Sequence, residues 1–443
     1  MLIIFRFIIM EYLITQNFEE IKWSYVGEGN ENIIVKPENS KVVARFRKKF
    51  KDMNEFNNLS GKCYKKLPNM FTLKDEKMFL DFIVRFLINS SYLVDIKIIE
   101  VSEYFLLQLN NKIKNYRPLN RWEKDLDLQH RFVQLLPNLC FTPSVKIDSK
   151  CISVEIKTKC GFMPYHYNVH SLKKKVCRFC IQQVTKFNLA KTSQISSYCP
   201  LDLFNNCTCG VSSALNSLTM TPQNNLVVSV DGEKINNLQQ FNIGSISSKE
   251  ILISVIVAIL KNDSFKVELL IKNNCNNVQA FCGGKKHDKH LEYCQPMGKG
   301  GILNTLRSLQ MLDCIDIENI YDLYNQYSSQ YVFDNDFSSE IWAKVVQDIV
   351  NGIKKVSDLS MIYQYLISST FKDCSLFITF KKVSPSDCGI GLSVVFHEET
   401  ESWYEYQIKL ADLAPRSVHN IPFYYNLDQD LIANYIKSTK LQV

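Results

Sequence analysis

The sequence predicts a two-lobed α/β (α+β) protein, with a smaller strand-rich N-lobe over residues 11–140 and a larger mixed C-lobe over 141–443. Three observations lead there. A chain of 443 residues that is 46% hydrophobic and 12% aromatic can bury a large core, and its length suits more than one lobe. Short apolar runs of strand length flank a glycine turn between residues 21 and 46. Beyond Ser171 the apolar positions recur at helical spacing over long segments. No repeat of fixed period and no Ser/Gly-rich or Pro-rich tract interrupts the chain, which argues against a solenoid.

In chain order, residues 23–26, 33–35 and 42–46 read as strands, the first two joined by Gly27-Glu28-Gly29-Asn30-Glu31-Asn32. Helical periodicity covers 76–88 and 101–114, and strands alternate with loops over 143–156. Helices are expected at 172–189, 247–261, 302–313 and 338–356, the second opening on a capping box, Ser247-x-x-Glu250. Strand signals at 376–380, 392–397 and 404–410 follow. The segment 198–204 reads as a helix or turn packed into a core.

A net charge of +7 allows an anionic partner without choosing its class, and no long basic arm suggests nucleic acid. The apolar run 1–10 is broken by Arg6, is too short to span a bilayer and lacks the flanks of a signal peptide. No membrane partner is expected, and Met10, followed by Glu11, reads as an alternative start. Fifteen cysteines, odd in number and irregular in spacing, point to reduced thiols and a cytoplasmic and/or nuclear protein.

The chemistry-bearing segments are individually modest. Gly27 and Gly29 let a hairpin backbone lie close over phosphates, although such turns also occur in ordinary hairpins. Arg45, on the next strand, stands where a nucleotide-binding lobe places a cation. Glu155, Lys157 and Lys159 would share one strand face, either as a phosphate site or as the polar side of an edge strand. Arg178, Gln182 and Lys186 form a polar helical stripe. Cys177-x-x-Cys180 is a weak zinc or redox signal, because no second pair stands at ribbon spacing. Asn224 and Asn225 either hydrogen-bond a polar ligand or close a turn. Asp373 opens one strand and Asp412 ends another; such rigid mounts suit a carboxylate that takes a hydroxyl proton or holds Mg²⁺. Cys275, Cys282, His287, His290 and Cys294 could bind structural Zn²⁺, but a flexible insert with free thiols is the favoured reading.

Taken in order, these pieces are similar to the inositol-pentakisphosphate 2-kinase family from about Trp23 to Tyr435. The landmarks are GEGNEN, EIKTKCGF, CRFCIQQVTK, SYCPLDLF, PQNN, GILNTLRSLQMLD, KDCSLFITF and ADLAPRS followed by IPFYYNLDQDLI. The resemblance implies a kinase-like fold with an ATP-binding N-lobe and an inositol-phosphate-binding C-lobe. It implies transfer of the ATP γ-phosphate to the axial 2-hydroxyl of inositol 1,3,4,5,6-pentakisphosphate, giving inositol hexakisphosphate. By position it makes Asp373 the base and a metal ligand, Lys157 catalytic, and Asp412 a Mg²⁺ ligand. Lys159, Lys186, Asn224, Asn225, Arg416, Tyr424 and one of Arg117 and Arg121 would hold the substrate. Gly27, Glu28, Gly29, Asn32 and Arg45 would hold ATP. No segment at 136–140 matches the family's lobe hinge, so no adenine contacts follow.

The chain departs from the family at Thr158, where proline is usual, and at Arg416, where lysine is usual; a further basic residue is replaced near Asn420. A ring with five phosphate monoesters carries roughly −8 to −10 charges, so cations scattered along the chain are expected. The implied partners are this inositol polyphosphate and ATP, with the protein acting as a monomer. Two alternatives stand beside this one: a catalytically inactive scaffold that binds inositol phosphates, and a kinase for a different inositol phosphate.

Overall fold

The computed structural model describes residues 18–38, 40–51, 67, 70–143, 149–266, 268, 270, 295–313, 315–384, 386 and 393–439. The chain divides into two compact units: Met1–Met78 with Val94–Leu139 and Pro143–Lys146, and Phe79–Leu93 with Cys140–Thr142 and Ile147–Val443. Each combines helices with an antiparallel sheet, which is the mixed α+β class. The possible ligands Cys275, Cys282, His287, His290 and Cys294, and the alternative start Met10, lie outside the described residues.

In the first unit the strands are β1 (Trp23–Glu28), β2 (Asn32–Pro37), β3 (Val42–Phe50), β4 (Lys97–Glu100), β5 (Lys124–Leu126) and β6 (Phe132–Pro137). Their order is β1-β2-β3-β6-β4, with β5 also pairing β3. Alternation along β3 turns Val42, Ala44 and Phe46 into a core with Trp23, Ile33 and Val35. Helix α2 (Glu103–Ile113) closes that core with Phe105, Leu106 and Leu109, and Ser102 caps it by accepting the Phe105 N–H at 3.1 Å. The same alternation leaves Arg45 and Arg47 on the opposite face. There Glu76 of α1 (Leu73–Phe79) meets both, at 3.0 and 2.7 Å.

The second unit is built on β7 (Cys151–Lys157), β8 (Leu226–Val230), β9 (Glu233–Lys234), β10 (Ser375–Val383), β11 (Ser393–His397) and β12 (Ser402–Ala411), in the order β11-β12-β10-β7-β8-β9. Leu376, Ile378 and Phe380 of β10 are fully buried, as a central strand requires. Around the sheet lie α3 (Arg178–Asn188), α4 (Pro200–Leu203), α5 (Thr208–Met220), α6 (Lys249–Lys266), α7 (Gly301–Gln310), α8 (Asp316–Ser328), α9 (Glu340–Asn351), α10 (Asp358–Phe371) and α11 (Ile421–Thr439). No helix among the described residues is long and apolar enough to cross a membrane.

Some sequence expectations need correction. The helix expected at 172–189 is a 3-10 turn, Ser171–Lys174, and then α3, whose cap is the Cys177 thiol accepting the Cys180 N–H at 3.4 Å. Ser248, not Ser247, caps α6, accepting the Ile251 N–H at 3.3 Å. Glu155, Lys157 and Lys159 do not form one strand face. β7 ends at Lys157, Thr158 is fully buried, and Lys159 turns into the left-handed region at φ 58°.

Candidate active site

The register of β10 assembles the site. Ser375 pairs with Lys157 on one side and with Ala411 on the other. Antiparallel pairing therefore brings the end of β7, the start of β10 and the end of β12 together at one end of the sheet's inner strands. Lys157 Nζ bonds the Asp412 carboxylate there and lies 3.8 Å from Glu155. The Ser375 hydroxyl donates to Glu155 at 2.7 Å and contacts Asp412 at 3.2 Å. Asp412 sits at φ 60°, a left-handed backbone that aspartate tolerates better than most side chains.

Asp373 lies just before Ser375 and accepts from Lys159 Nζ at 2.8 Å and from Arg416 at 3.2 Å. Burial alone would raise its pKa, but those two cations hold the carboxyl at about 2. Lys157 shows the opposite balance: burial would lower its pKa, and Asp412 and Glu155 raise it. Gln310 supports the left-handed Lys159 from below. Its buried amide donates to the Lys159 carbonyl at 2.9 Å and to that of Phe371 at 3.0 Å, and accepts the Gly161 N–H at 2.8 Å.

Asp373 borders a cavity of about 300 Å³. Its charged lining is Lys159, Lys173, Arg178, Lys186, Lys372 and Arg416, set against Asp313, Asp316 and Asp373; Gln182 and Tyr424 also line it. The polar stripe on α3 thus faces this space with all three of its members. Burial and the neighbouring Lys159 lower the Lys186 pKa. Arg416 Nε is buried without a hydrogen-bond partner among the described residues. Lys372 is tied to Asp313 at 2.5 Å and lies 5.1 Å from the centre of the Phe162 ring. Asn225 is buried, and its carbonyl accepts the Lys157 N–H at 2.9 Å, which seats the 222–225 turn beside the end of β7; Asn224 is exposed in that turn.

The remaining candidates belong to the first unit. Gly27 and Gly29 flank Glu28, and a Cβ on either would meet nothing within 4 Å, so the space before the turn is open. Glu28 is 1% exposed and holds the hairpin rather than facing outward: Arg117 Nε donates to it at 2.8 Å and Lys48 at 2.5 Å. Arg117 is fully buried and also donates to Asp125 and to the Arg121 and Lys124 carbonyls. That guanidinium is committed inside its own unit. Arg121 is more exposed and reaches Asn30 of the turn at 2.5 Å. Asn32 accepts from Arg47 at 3.3 Å. Arg45 Nη1 is held by Glu76 at 3.0 Å and by Gln134 at 3.1 Å.

The sequence reading missed Glu76, Gln310 and Ser375 as support for these side chains. Ser375 could have been found, since it follows Asp373 by two residues on a strand. Glu76 and Gln310 gave no local signal. Among the described residues, Cys177, Cys180 and Cys199 form a group that could hold a metal ion. Cys177 Sγ lies 3.3 Å from Cys180 Sγ and 3.7 Å from Cys199 Sγ. Spacing revealed only the first two; the third comes from the turn before α4.

Residues 25–430 match the family described as inositol-pentakisphosphate 2-kinase. An inositol-pentakisphosphate 2-kinase of Danio rerio is 26% identical, over 95% of this chain and 94% of its own length. One of Arabidopsis thaliana is 26% identical over 78% of this chain and 73% of its own length. One of Drosophila melanogaster is 44% identical over 52 residues, 12% of this chain and 8% of its own.

Proposed function

We propose, from the premise that this chain belongs to the inositol-pentakisphosphate 2-kinase family, that it transfers the ATP γ-phosphate to the 2-hydroxyl of inositol 1,3,4,5,6-pentakisphosphate, giving inositol hexakisphosphate. The observation that carries this reading is the cavity with six cations against three carboxylates, bordered by Asp373. A ring bearing roughly −8 to −10 charges needs such a surplus. The carboxylate at its edge is what an alcohol acceptor requires.

In this assignment Asp373 takes the hydroxyl proton as the new oxygen–phosphorus bond forms and the bond from the γ-phosphorus to the bridging oxygen breaks, with ADP as the leaving group. Its carboxylate is ionised and oriented by Lys159 and Arg416. Lys157 balances Asp412 and the charge on the transferring group. Lys159, Lys186, Arg416 and Tyr424 bind ring phosphates, and Asn224 and Asn225 hydrogen-bond the substrate. Arg121 is the better candidate of the two N-terminal arginines, because Arg117 has its donors occupied. The strand-rich unit binds ATP through the backbone of Gly27 and Gly29 and through Arg45, which Glu76 orients. Glu28 and Asn32 shape that turn from behind. The larger unit binds the inositol phosphate.

The donor set fits Mg²⁺, a hard cation that takes carboxylate oxygens: Asp412 and Asp373 each present a half-exposed carboxylate. When bound, the ion would neutralise charge on the β- and γ-phosphates. We place the protein in the cytoplasm and/or nucleus and expect it to work as a monomer without nucleic acid or membrane partners. The reading is tested by incubating the protein with ATP, Mg²⁺ and a panel of inositol phosphates, and resolving products by anion exchange. Conversion of the pentakisphosphate to the hexakisphosphate supports it. Binding without turnover would identify a scaffold, and turnover of another ring alone would identify a different kinase.

A further inference from the structure

Helix α11 contributes Tyr424 and Leu427 to the cavity wall and carries two polar residues four apart, Tyr424 and Asp428, on one face. Tyr424 lies beside Arg416 and lines the cavity. Asp428 does not line it. Its carboxylate is 2% exposed, and it accepts from Arg178 Nε at 3.0 Å and from Lys173 Nζ at 2.8 Å. Leu431 and Ile432 clamp the helix against Leu172 and Ile181, so the carboxylate has a fixed mount.

The two bonds differ in importance. Lys173 also pairs with Asp316 at 2.6 Å and Glu318 at 2.8 Å, so it is neutralised without Asp428. Arg178 has Asp428 as its sole ion-pair partner among the described residues. Its side chain is 41% exposed, and an arginine that wet needs no buried carboxylate for its own solvation. The bond goes to Nε. Among the described residues no hydrogen bond engages the terminal amino groups, which are the edge that grips a phosphate in a fork.

We propose that Asp428 is a positioning residue for substrate recognition, holding Arg178 by Nε so that its amino fork is set in advance to grip one phosphate of the ring. An arginine left free would surrender most of its rotamer freedom on binding. Asp428 removes that freedom before the substrate arrives. The inference rests on the reading of the cavity as an inositol polyphosphate site.

The test uses the full chain. Binding of inositol 1,3,4,5,6-pentakisphosphate is measured by titration calorimetry, alongside KM, kcat and Tm. For Asp428→Asn, affinity should fall roughly tenfold, as expected from restored side-chain freedom, with KM rising in step. Its kcat should stay within about threefold of wild type, because Asp428 does not touch the reacting atoms. Arg178→Ala should weaken binding at least as much, and adding Asp428→Asn to it should change nothing further. Arg178→Lys keeps the charge but neither the Nε bond nor the fork, and should recover only part of the affinity lost in Arg178→Ala. Wild-type affinity in Asp428→Asn, additive losses in the double variant, or full rescue by Arg178→Lys would each overturn the proposal. Should Asp428→Asn fail to fold, Asp428→Glu takes its place: shifting the carboxylate away from Nε should lower affinity, and wild-type affinity would overturn the proposal. A wild-type protein that does not bind the pentakisphosphate would defeat the substrate reading instead, so the two failures are distinguishable.

Discussion

Replacing Asp373 with alanine separates turnover from binding. The side chain is 53% exposed, so solvent screens much of its charge even though burial alone would push its pKa up. Removing a unit negative charge about 5 Å from a bound phosphate then changes the energy by about 1 kcal/mol, in favour of the anion. That is less than tenfold in affinity. Loss of a general base typically lowers the chemical step by about 10²- to 10⁴-fold. The variant should therefore bind inositol pentakisphosphate within an order of magnitude of wild type, or slightly more tightly, while turnover disappears. Calorimetric titration and a radiolabelled phosphate-transfer assay measure the two quantities on one preparation. Turnover above about a tenth of wild type would remove Asp373 from the mechanism. A large loss of binding would show that it organises Lys159 and Arg416 rather than the reacting hydroxyl. Because those two cations hold the carboxyl at about 2, it stays ionised at every practical assay pH. Its support of the fold, present above the usual carboxylate range, is lost only as pH falls through about 2. Any acidic limb near pH 6 in the rate profile then belongs to the substrate phosphates, whose second ionisation lies there.

Arg117→Ala leaves Glu28 buried without its main partner, and breaking such a pair destabilises by about 3–5 kcal/mol. Tm should drop by several degrees, while inositol pentakisphosphate affinity at a temperature where the variant is folded should be unchanged; lost affinity would restore Arg117 to the phosphate site. Lys186→Ala should weaken the inositol phosphate roughly 10- to 100-fold, matching about 1.5–3 kcal/mol for one charged hydrogen bond, and should flatten the salt dependence of binding. Unchanged affinity would place Lys186 outside the contact set. Burial lowers the pKa of both His130 and His397, so the folded state holds them neutral. Their contribution is complete above the unfolded value of about 6.5 and is lost as pH falls below it, so Tm should decline between pH 7 and 5. Replacing either with glutamine should flatten that slope, and an unaltered slope would rule that histidine out.

Local pattern made the sheets legible because alternation and turn chemistry act over a few residues. The strands around Gly27 and those at 375–383 and 402–411 fall close to where period-two patterning puts them. α11 was missed because its apolar positions are interleaved with tyrosines and carboxylates whose partners come from elsewhere, as with Asp428 and Lys173. The same reason hid Gln310, an amide whose three bonds join segments far apart in sequence. Glu28 and Arg117 illustrate the converse. Each sits in a segment that reads as ligand-binding, yet the pair faces inward and fixes the hairpin. Sequence identifies which residue types a motif offers, but which way a charged side chain points depends on a partner that only the fold supplies.

Strand register explains how charges so distant in sequence can be placed accurately. Ser375 is hydrogen-bonded into a ladder between β7 and β12, so Lys157 and Asp412 cannot slip relative to Asp373 without moving β10 by a full two residues. The two groups that leave the ladder, Lys159 and Asp412, do so through left-handed backbone, at φ 58° and 60°. Each such residue is disfavoured by about 1–2 kcal/mol relative to an ordinary backbone. A strand that continued past Lys157 would send Lys159 to the face of Glu155 and Lys157, away from the α3 stripe. The left-handed turn instead points it at Asp373 and the cavity, and Gln310 holds it there. The strain is therefore tied to the one geometric demand that a plain strand cannot meet: two lysines two residues apart must serve two different carboxylates.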